Sequence, residues 1–191
     1  DGEMVNKGLE FDVTGNIIRN EDFNLSLTIN GEMFQNEITQ MPIENATGEA
    51  KVINIDGNFA QSEGRSRYDY YIREGAGVNS ETGDAQWKEN WVDENNNDQY
   101  DSGEGFTDFE VYKAANPKAV IQERITNKYA DATRRFNGES LIPTLRGAFR
   151  LNSSYKGFSL SAQFGYSLGG HGYDANYSYL MSNGKAGANS Y

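Results

Sequence analysis

The residues best suited to chemistry lie in one run, Asp93-Glu94-Asn95-Asn96-Asn97-Asp98-Gln99-Tyr100-Asp101-Ser102-Gly103-Glu104. Counting Asp93 as position 1, side-chain oxygens fall at positions 1, 3, 5, 9 and 12 (Asp93, Asn95, Asn97, Asp101 and Glu104), with the Gln99 backbone carbonyl at position 7. Ca2+ takes about 6–8 hard oxygen ligands around a tight chain reversal, and this is the ligand spacing of an EF-hand-type loop. Position 6 departs from the pattern. Asp98 stands where glycine normally makes the sharp turn, although Asp tolerates left-handed backbone better than most residues. Between Val92 and Val111 lie Asp93, Glu94, Asp98, Asp101, Glu104, Asp108 and Glu110 with no Lys or Arg, so the segment repels itself unless a cation binds. The expectation is a structural Ca2+ held by Asp93, Asn95, Asn97, Gln99, Asp101 and Glu104. The plainer alternative is a solvated acidic loop. Either way the role is architectural and not catalytic.

Other candidates are weaker. Trp87 and Trp91 lie four residues apart, close to Tyr68, Tyr70 and Tyr71. Aromatic faces stack on sugar rings or peptide side chains, so these five are candidate contacts to cargo or to a lid protein; packing within the loops is the plainer role. His171, the single histidine, sits between glycines with no nucleophile pattern nearby. Gly169-Gly170 opens no helix and so does not cradle phosphate. Glu10 and Asp12 form a carboxylate pair of the kind a glycosidase uses, but charge on one face of a strand explains them more simply. No triad and no metalloprotease motif is present, and no catalytic residue is assigned.

The elements that carry these residues announce themselves by period-2 alternation. Leu9, Phe11, Val13, Gly15 and Ile17 alternate with Glu10, Asp12, Thr14 and Asn16; after Arg19–Asp22 the pattern resumes with Phe23, Leu25, Leu27, Ile29, Gly31 and Met33. This predicts a β-hairpin. A second follows at Leu145–Leu151 and Phe158–Leu168, around Lys156-Gly157, where Gly157 can supply a positive φ. The polar faces carry mostly Asn, Ser, Thr and Gln, which suits a wet, crowded lumen better than an open water face dressed with Lys and Glu. Each run is close to the ~9–11 residues that a tilted strand needs to cross a bilayer, and aromatics flank the turns where an interfacial girdle would lie. Between the hairpins lies a long polar stretch. Lys51–Ile55 and Tyr68–Arg73 read as short β fragments, and Glu110–Ala115 and Ala119–Arg124 as short helical turns around Asn116-Pro117. From periodicity alone, a barrel wall and a soluble β-sandwich fit equally well.

Composition sets outer limits. With Lys+Arg 17 against Asp+Glu 28, the formal net charge is −11, which argues against a nucleic-acid partner. The absence of cysteine excludes disulfides, thiolate catalysis and Cys-ligated metals. Twenty-one glycines and only 3 prolines with 13% aromatics favour a β-rich chain with many turns. No apolar run approaches the ~20 residues of a membrane helix, and the low mean hydropathy of −0.75 is compatible with alternating barrel strands. There is no signal peptide at Asp1, and both ends are expected to be cuts through a longer protein.

Four segments, in order, resemble the SusC/RagA family of TonB-dependent outer-membrane transporters. Met4-Val5-Asn6-Lys7-Gly8-Leu9-Glu10 resembles the entry to a late barrel strand. Arg65–Tyr71 sits where the family has a short strand, and Gly75–Ala85 is similar to its AGVDPETGDA segment, with Asn79 and Ser80 in place of Asp and Pro. Tyr155–Leu160 followed by Phe164–Gly170 resembles its YKGF-L…F-Y-GG hairpin. The resemblance implies a barrel of about 22 strands plugged by an upstream domain. It also implies energy from the TonB complex through that absent N-terminal part, a SusD-like lipoprotein lid, and oligosaccharide or peptide cargo.

The expected architecture is therefore all-β, an antiparallel portion of a large transmembrane barrel in contact with membrane lipid in the outer membrane. Residues 1–38 would form one transmembrane hairpin and 39–143 an extracellular loop region containing the acidic loop. Residues 144–169 would form the second hairpin and 170–191 the start of another extracellular loop. The alternative is a soluble, calcium-stabilised β-sandwich binding module of carbohydrate-binding or adhesin type.

Overall fold

Alternation of apolar and polar side chains over long runs builds one dominant sheet, and short, non-local pairings build the rest. The structure, a computed structural model, describes residues 2–180. In chain order the strands are β1 (Glu3–Arg19), β2 (Phe23–Gln40), β3 (Asn54–Asp56), β4 (Phe59–Gln61), β5 (Asp69–Arg73), β6 (Gly75–Val78), β7 (Ala85–Trp91) and β8 (Gly105–Phe106). Helix α1 (Phe109–Ala115) is followed by β9 (Gln122–Thr126), β10 (Arg134–Ser140), β11 (Leu145–Tyr155) and β12 (Phe158–Leu168), then α2 (Ala175–Leu180). Of the segment expected to start a further loop, 181–191 lies outside the described residues.

The two long hairpins lie side by side. Strand order is β1-β2-β11-β12, all antiparallel, because β2 pairs β11 directly. The sandwich expectation, in which the two apolar faces would meet, is corrected by this pairing: they are coplanar and continue one another. Opposed residues in an antiparallel ladder share a face, so the register defines rows across the sheet. Val13, Ile29, Phe149 and Phe164 form one apolar row, and Gly15, Leu27, Leu151 and Ala162 the next. Between them, on the other face, runs Thr14, Thr28, Arg150 and Gln163, tied by a Thr14–Thr28 hydroxyl bond of 2.9 Å and by Arg150 donating to Gln163 Oε1. The sheet is open; the described residues form no closed barrel.

Two details depart from simple alternation. A bulge between Asn16 and Ile18 places Ile18, not Ile17, opposite Leu25, so Ile18 takes the apolar-face position expected of Ile17. At Gly31 and Gly147 the sheet surface is hollow. Phe11 closes over Gly31, and the Tyr166 hydroxyl reaches across both glycines to donate to the Asn30 carbonyl at 2.8 Å. A Cβ on Gly147 would collide with that backbone carbonyl, so only glycine fits there.

Both tight turns lie at the same end. Tyr155 pairs Phe158 across Lys156 and Gly157, whose φ values of 46° and 90° are those of a two-residue turn with both residues left-handed. The Lys156 N–H donates to the Asp22 carbonyl of the neighbouring turn, and the Phe23 and Tyr155 rings meet edge-on at 6.4 Å.

At the opposite end β2 runs on past β11. There Asn36, Ile38 and Met41 become buried, and the chain enters the region spanning 41–144. Here lie two small sheets, β10-β5-β4-β3 and β6-β7-β8 with β9 also on β7. This region holds most of the buried core, including Ala60, Tyr70, Tyr71, Trp91 and Ala132. Helix α1 forms where expected, with Asp108 capping it by accepting from the Val111 N–H at 3.2 Å. The helical turn expected at Ala119–Arg124 is corrected: Gln122–Thr126 is strand β9, since β-branched Ile125 and Thr126 suit a ladder with β7. Of Lys51–Ile55, only Asn54 and Ile55 enter a strand.

Candidate functional site

Strands β5, β7, β9 and β10 place charged side chains close together. Arg135 on β10 grips Glu74 with two bonds, Nε to Oε1 at 3.1 Å and Nη2 to Oε2 at 2.9 Å, and Lys88 Nζ adds a third contact at 3.1 Å. Glu123 completes the group, 3.5 Å from Lys88 and 3.1 Å from Arg135. The Arg135 bonds, outweighing partial burial, hold the Glu74 carboxyl below its ordinary range, and Glu74 in turn pushes Arg135 and Lys88 upward. A second pair lies deeper. Glu89, almost fully buried, accepts from Arg124 Nη2 at 2.6 Å and from the Tyr100 hydroxyl at 3.2 Å, while the Arg124 guanidinium lies 3.5 Å above the Tyr100 ring. These are structural clamps between strands distant in sequence; their carboxylates are all neutralised.

The acidic loop leads from β7 to β8. Asp93 accepts from the Asn97 N–H at 3.1 Å and the Asp98 N–H at 2.8 Å. Desolvation pushes its carboxyl upward, but these backbone donors outweigh it and hold the group below its ordinary value. Asp98 has φ +58°, the left-handed turn that glycine would otherwise supply. Asn95 and Asn97 each donate a side-chain N–H to Asp101 Oδ2, at 2.7 and 2.8 Å. Gln99 donates its N–H to Asn97 Oδ1 at 2.7 Å. Glu104 accepts from the Glu94 and Asp101 N–H groups at 3.1 and 2.7 Å, closing the ends of the loop. Asn95 and Asn97 thus turn their amide N–H groups, and not their oxygens, toward Asp101, while their Oδ1 atoms accept from the Asn97 and Gln99 N–H groups, so the loop is closed by its own hydrogen bonds. Glu104 is engaged by backbone, and no three His, Cys, Asp or Glu side chains come together as a metal-holding group among the described residues.

The five aromatic candidates separate. Tyr71 is fully buried; its hydroxyl donates to Asp108 Oδ1 at 2.6 Å, and burial, reinforced by that carboxylate, raises its pKa. Trp91 is buried and meets Tyr100 edge-on at 5.7 Å. Trp87 packs edge-on against Tyr129 at 5.4 Å. Tyr68 is exposed, with Arg67 5.9 Å from its ring centre. Tyr70 stacks on Phe59 at 4.7 Å and donates to the His171 carbonyl at 3.0 Å. Only Tyr70 and Tyr71 line a cavity of about 380 Å3, which they share with Arg73, Tyr129, Arg134 and His171. Sequence reading missed both arginines and Tyr129, because nothing local marks them; β-pairing sets Arg134 opposite Arg73, and the turn between β9 and β10 brings Tyr129 against Arg73.

The hairpin sheet carries its own concavity on the polar face, a groove of about 860 Å3 lined by Glu10, Asp12, Asn30, Glu32, Arg146 and Ser167. Arg146 pairs with Glu32 across β2 and β11. Glu10 and Asp12 therefore belong to a charged, hydrated surface and face no reacting group.

With this geometry in hand, two solved structures resemble the chain. One, of the RagAB peptide transporter, matches with a TM-score of 0.58 and 26% identity over 88% of this chain. Another, of the RagAB peptide importer in the "open-open" state, matches with a TM-score of 0.54 and 24% identity, also over 88%. In both cases the chain spans 15% of the length of the matched chain. No protein-family model and no curated protein matches it. The chain is thus mostly β, with antiparallel sheets, and resembles a portion of a transporter.

Proposed function

We propose that this chain forms part of the wall and outer face of a TonB-dependent outer-membrane importer of the SusC/RagA kind. The observation that carries the reading is the four-strand apolar face. Leu9, Val13, Phe158 and Leu160 are 62–81% exposed, with nothing among the described residues to cover them, while the reverse face is polar and charged. In water such a face costs roughly 25 cal/mol for each Å2 of apolar surface left uncovered; against lipid it costs nothing. The dimensions agree. An 11-residue strand such as β11 or β12 spans about 36 Å at ~3.3 Å per residue, or about 26 Å after a ~45° tilt, close to the apolar band of outer-membrane barrels. Turns on one side and a long excursion on the other give the usual asymmetry, with the excursion facing outward.

In this reading the missing strands close the barrel and an upstream plug engages the TonB complex. A SusD-like surface lipoprotein covers the outer face, and oligosaccharide or peptide cargo passes along the polar face; the likeness to a peptide importer favours peptide. The acidic loop takes Ca2+ through Asp93, Asn95, Asn97, the Gln99 carbonyl and Asp101, with Glu104 closing it, and thereby stiffens the outer surface. The test is single-cysteine labelling of the full-length protein in lipid vesicles, against the cysteine-free background of these residues. Val13→Cys, Phe149→Cys and Phe164→Cys should carry fluorophores quenched by brominated lipid. Thr14→Cys and Gln163→Cys should be quenched by aqueous iodide instead. Iodide quenching on both faces would refute the reading.

A further inference from the structure

The geometry points to a site for a carboxylate group in the cavity between β5, β10 and the 171–173 segment, gripped by Arg134. The inference rests on the import reading for its biological sense, since it names the chemical handle on the cargo.

Register makes the case. Arg134 on β10 pairs directly with Arg73 on β5, so two guanidiniums face the same side at adjacent positions. Like charges directly opposite in a ladder repel, and an anion between or beside them relieves that repulsion. The two arginines are not equivalent. Arg73 is committed: its Nε donates to the Ala132 carbonyl at 2.9 Å and its guanidinium lies 4.7 Å from the centre of the Tyr129 ring. The Arg134 guanidinium, by contrast, has no ion pair and no hydrogen bond with any described residue. The nearby carboxylates are occupied. Glu139, in the cavity lining, is held by His171 Nδ1 at 2.7 Å, and Asp108 accepts from Tyr71 and the Val111 N–H.

A free guanidinium in a partly enclosed cavity is a planar fork suited to two parallel bonds from one carboxylate. The walls set what the carboxylate is attached to. Tyr70 and Tyr129 present ring surface and are fixed, the first by its stack on Phe59 and its bond to the His171 carbonyl, the second by Arg73 and Trp87. The volume of about 380 Å3 admits one ring-bearing or aliphatic residue with its terminal carboxylate. The chain as a whole carries a formal charge of −11, so this local excess of positive charge is not a by-product of composition. Two sources share the chemistry: a peptide C-terminus and an acidic sugar.

The test uses the purified full-length protein in detergent, with binding read by calorimetry and saturation-transfer NMR. N-acetylphenylalanine should bind at least ten-fold more tightly than N-acetylphenylalanine amide, and Arg134→Gln should abolish that preference. Arg134→Lys should retain part of it, because the charge survives while the fork does not. Tighter binding of glucuronate than of N-acetylphenylalanine would assign the carboxylate to sugar cargo, and the reverse order to peptide. Equal binding of acid and amide by the parent protein overturns the proposal, as does an Arg134→Gln variant of unchanged melting temperature that keeps the preference. Neither result would alter the lipid-quenching pattern of the hairpins, so failure of this site is distinguishable from failure of the import reading.

Discussion

Arginine placed at Val13 gives the most direct energetic measure of what the apolar sheet face touches. Val13 is 62% exposed within the chain and lies in the middle row, opposite Ile29. Its replacement therefore removes little packing, and almost the whole effect comes from the medium outside. In the bilayer midplane an outward-facing Arg on a barrel strand costs about 2–4 kcal/mol, falling to about 0–1 kcal/mol near the interface. Phe158, 81% exposed beside the tight turn, supplies the interfacial comparison. Val13→Arg should thus destabilise the full-length protein by about 2–4 kcal/mol and Phe158→Arg by about 1 kcal/mol or less. At 1.4 kcal/mol per decade, the midplane cost corresponds to a fall of roughly 30- to 1000-fold in the folding equilibrium constant. Reversible urea titration in lipid vesicles, read by tryptophan fluorescence, measures both. An exposed position in water tolerates such a change within about 0.5 kcal/mol, so equal and small effects at the two sites would refute the membrane assignment.

Three other perturbations follow from the same geometry. Gly147→Ala forces a Cβ against the Asn30 carbonyl and the Tyr166 hydroxyl and should cost about 1–3 kcal/mol in the same titration, whereas Gly165→Ala, which meets only the Gly147 carbonyl at 3.9 Å, should be tolerated. If the acidic loop takes Ca2+, adding the ion should protect the 93–104 segment from limited proteolysis and EDTA should remove that protection; Asp101→Ala should proteolyse alike with and without the ion, and calcium-independent cleavage of the parent protein would discount the site. Because the Glu74 carboxyl is held low by Arg135, its stabilising contribution is complete above the unfolded value of about 4.3 and is lost as pH falls through the lowered folded value. Glu74→Gln should flatten that acid limb in a melting-temperature profile between pH 6 and 3, and an unchanged limb would show that the clamp contributes nothing.

The hairpins were legible in the sequence because their two faces meet different surroundings, and a period of two survives as a plain pattern from Leu9 to Met33 and from Leu145 to Leu168. The bulge was not legible, since Ile17-Ile18 offers two equivalent side chains for one apolar position and only the ladder selects Ile18. Nor was the left-handed Lys156, which the twist of β11 and β12 imposes on a residue with no preference for it. The excursion was read poorly for a different reason. Its strands are 2–7 residues long, too short for periodicity to separate strand from helix. β7 also takes its partners from three segments of the chain, β6, β8 and β9. The acidic loop was visible because its donors are contiguous. The Arg73–Arg134 cavity was invisible because its meaning lies in a register between residues far apart in the chain.

The direct pairing of β2 with β11 has a consequence for how such a protein can change over time. The excursion leaves and re-enters at neighbouring staves of the same palisade, so its entry and exit points are fixed by the ladder and owe nothing to what lies between. Closing a loop of roughly a hundred residues in place of one of about ten differs by only about 2 kcal/mol of chain entropy. The excursion is thus a replaceable cassette, open to lengthening, exchange or wholesale rewriting, while the staves beneath keep their spacing.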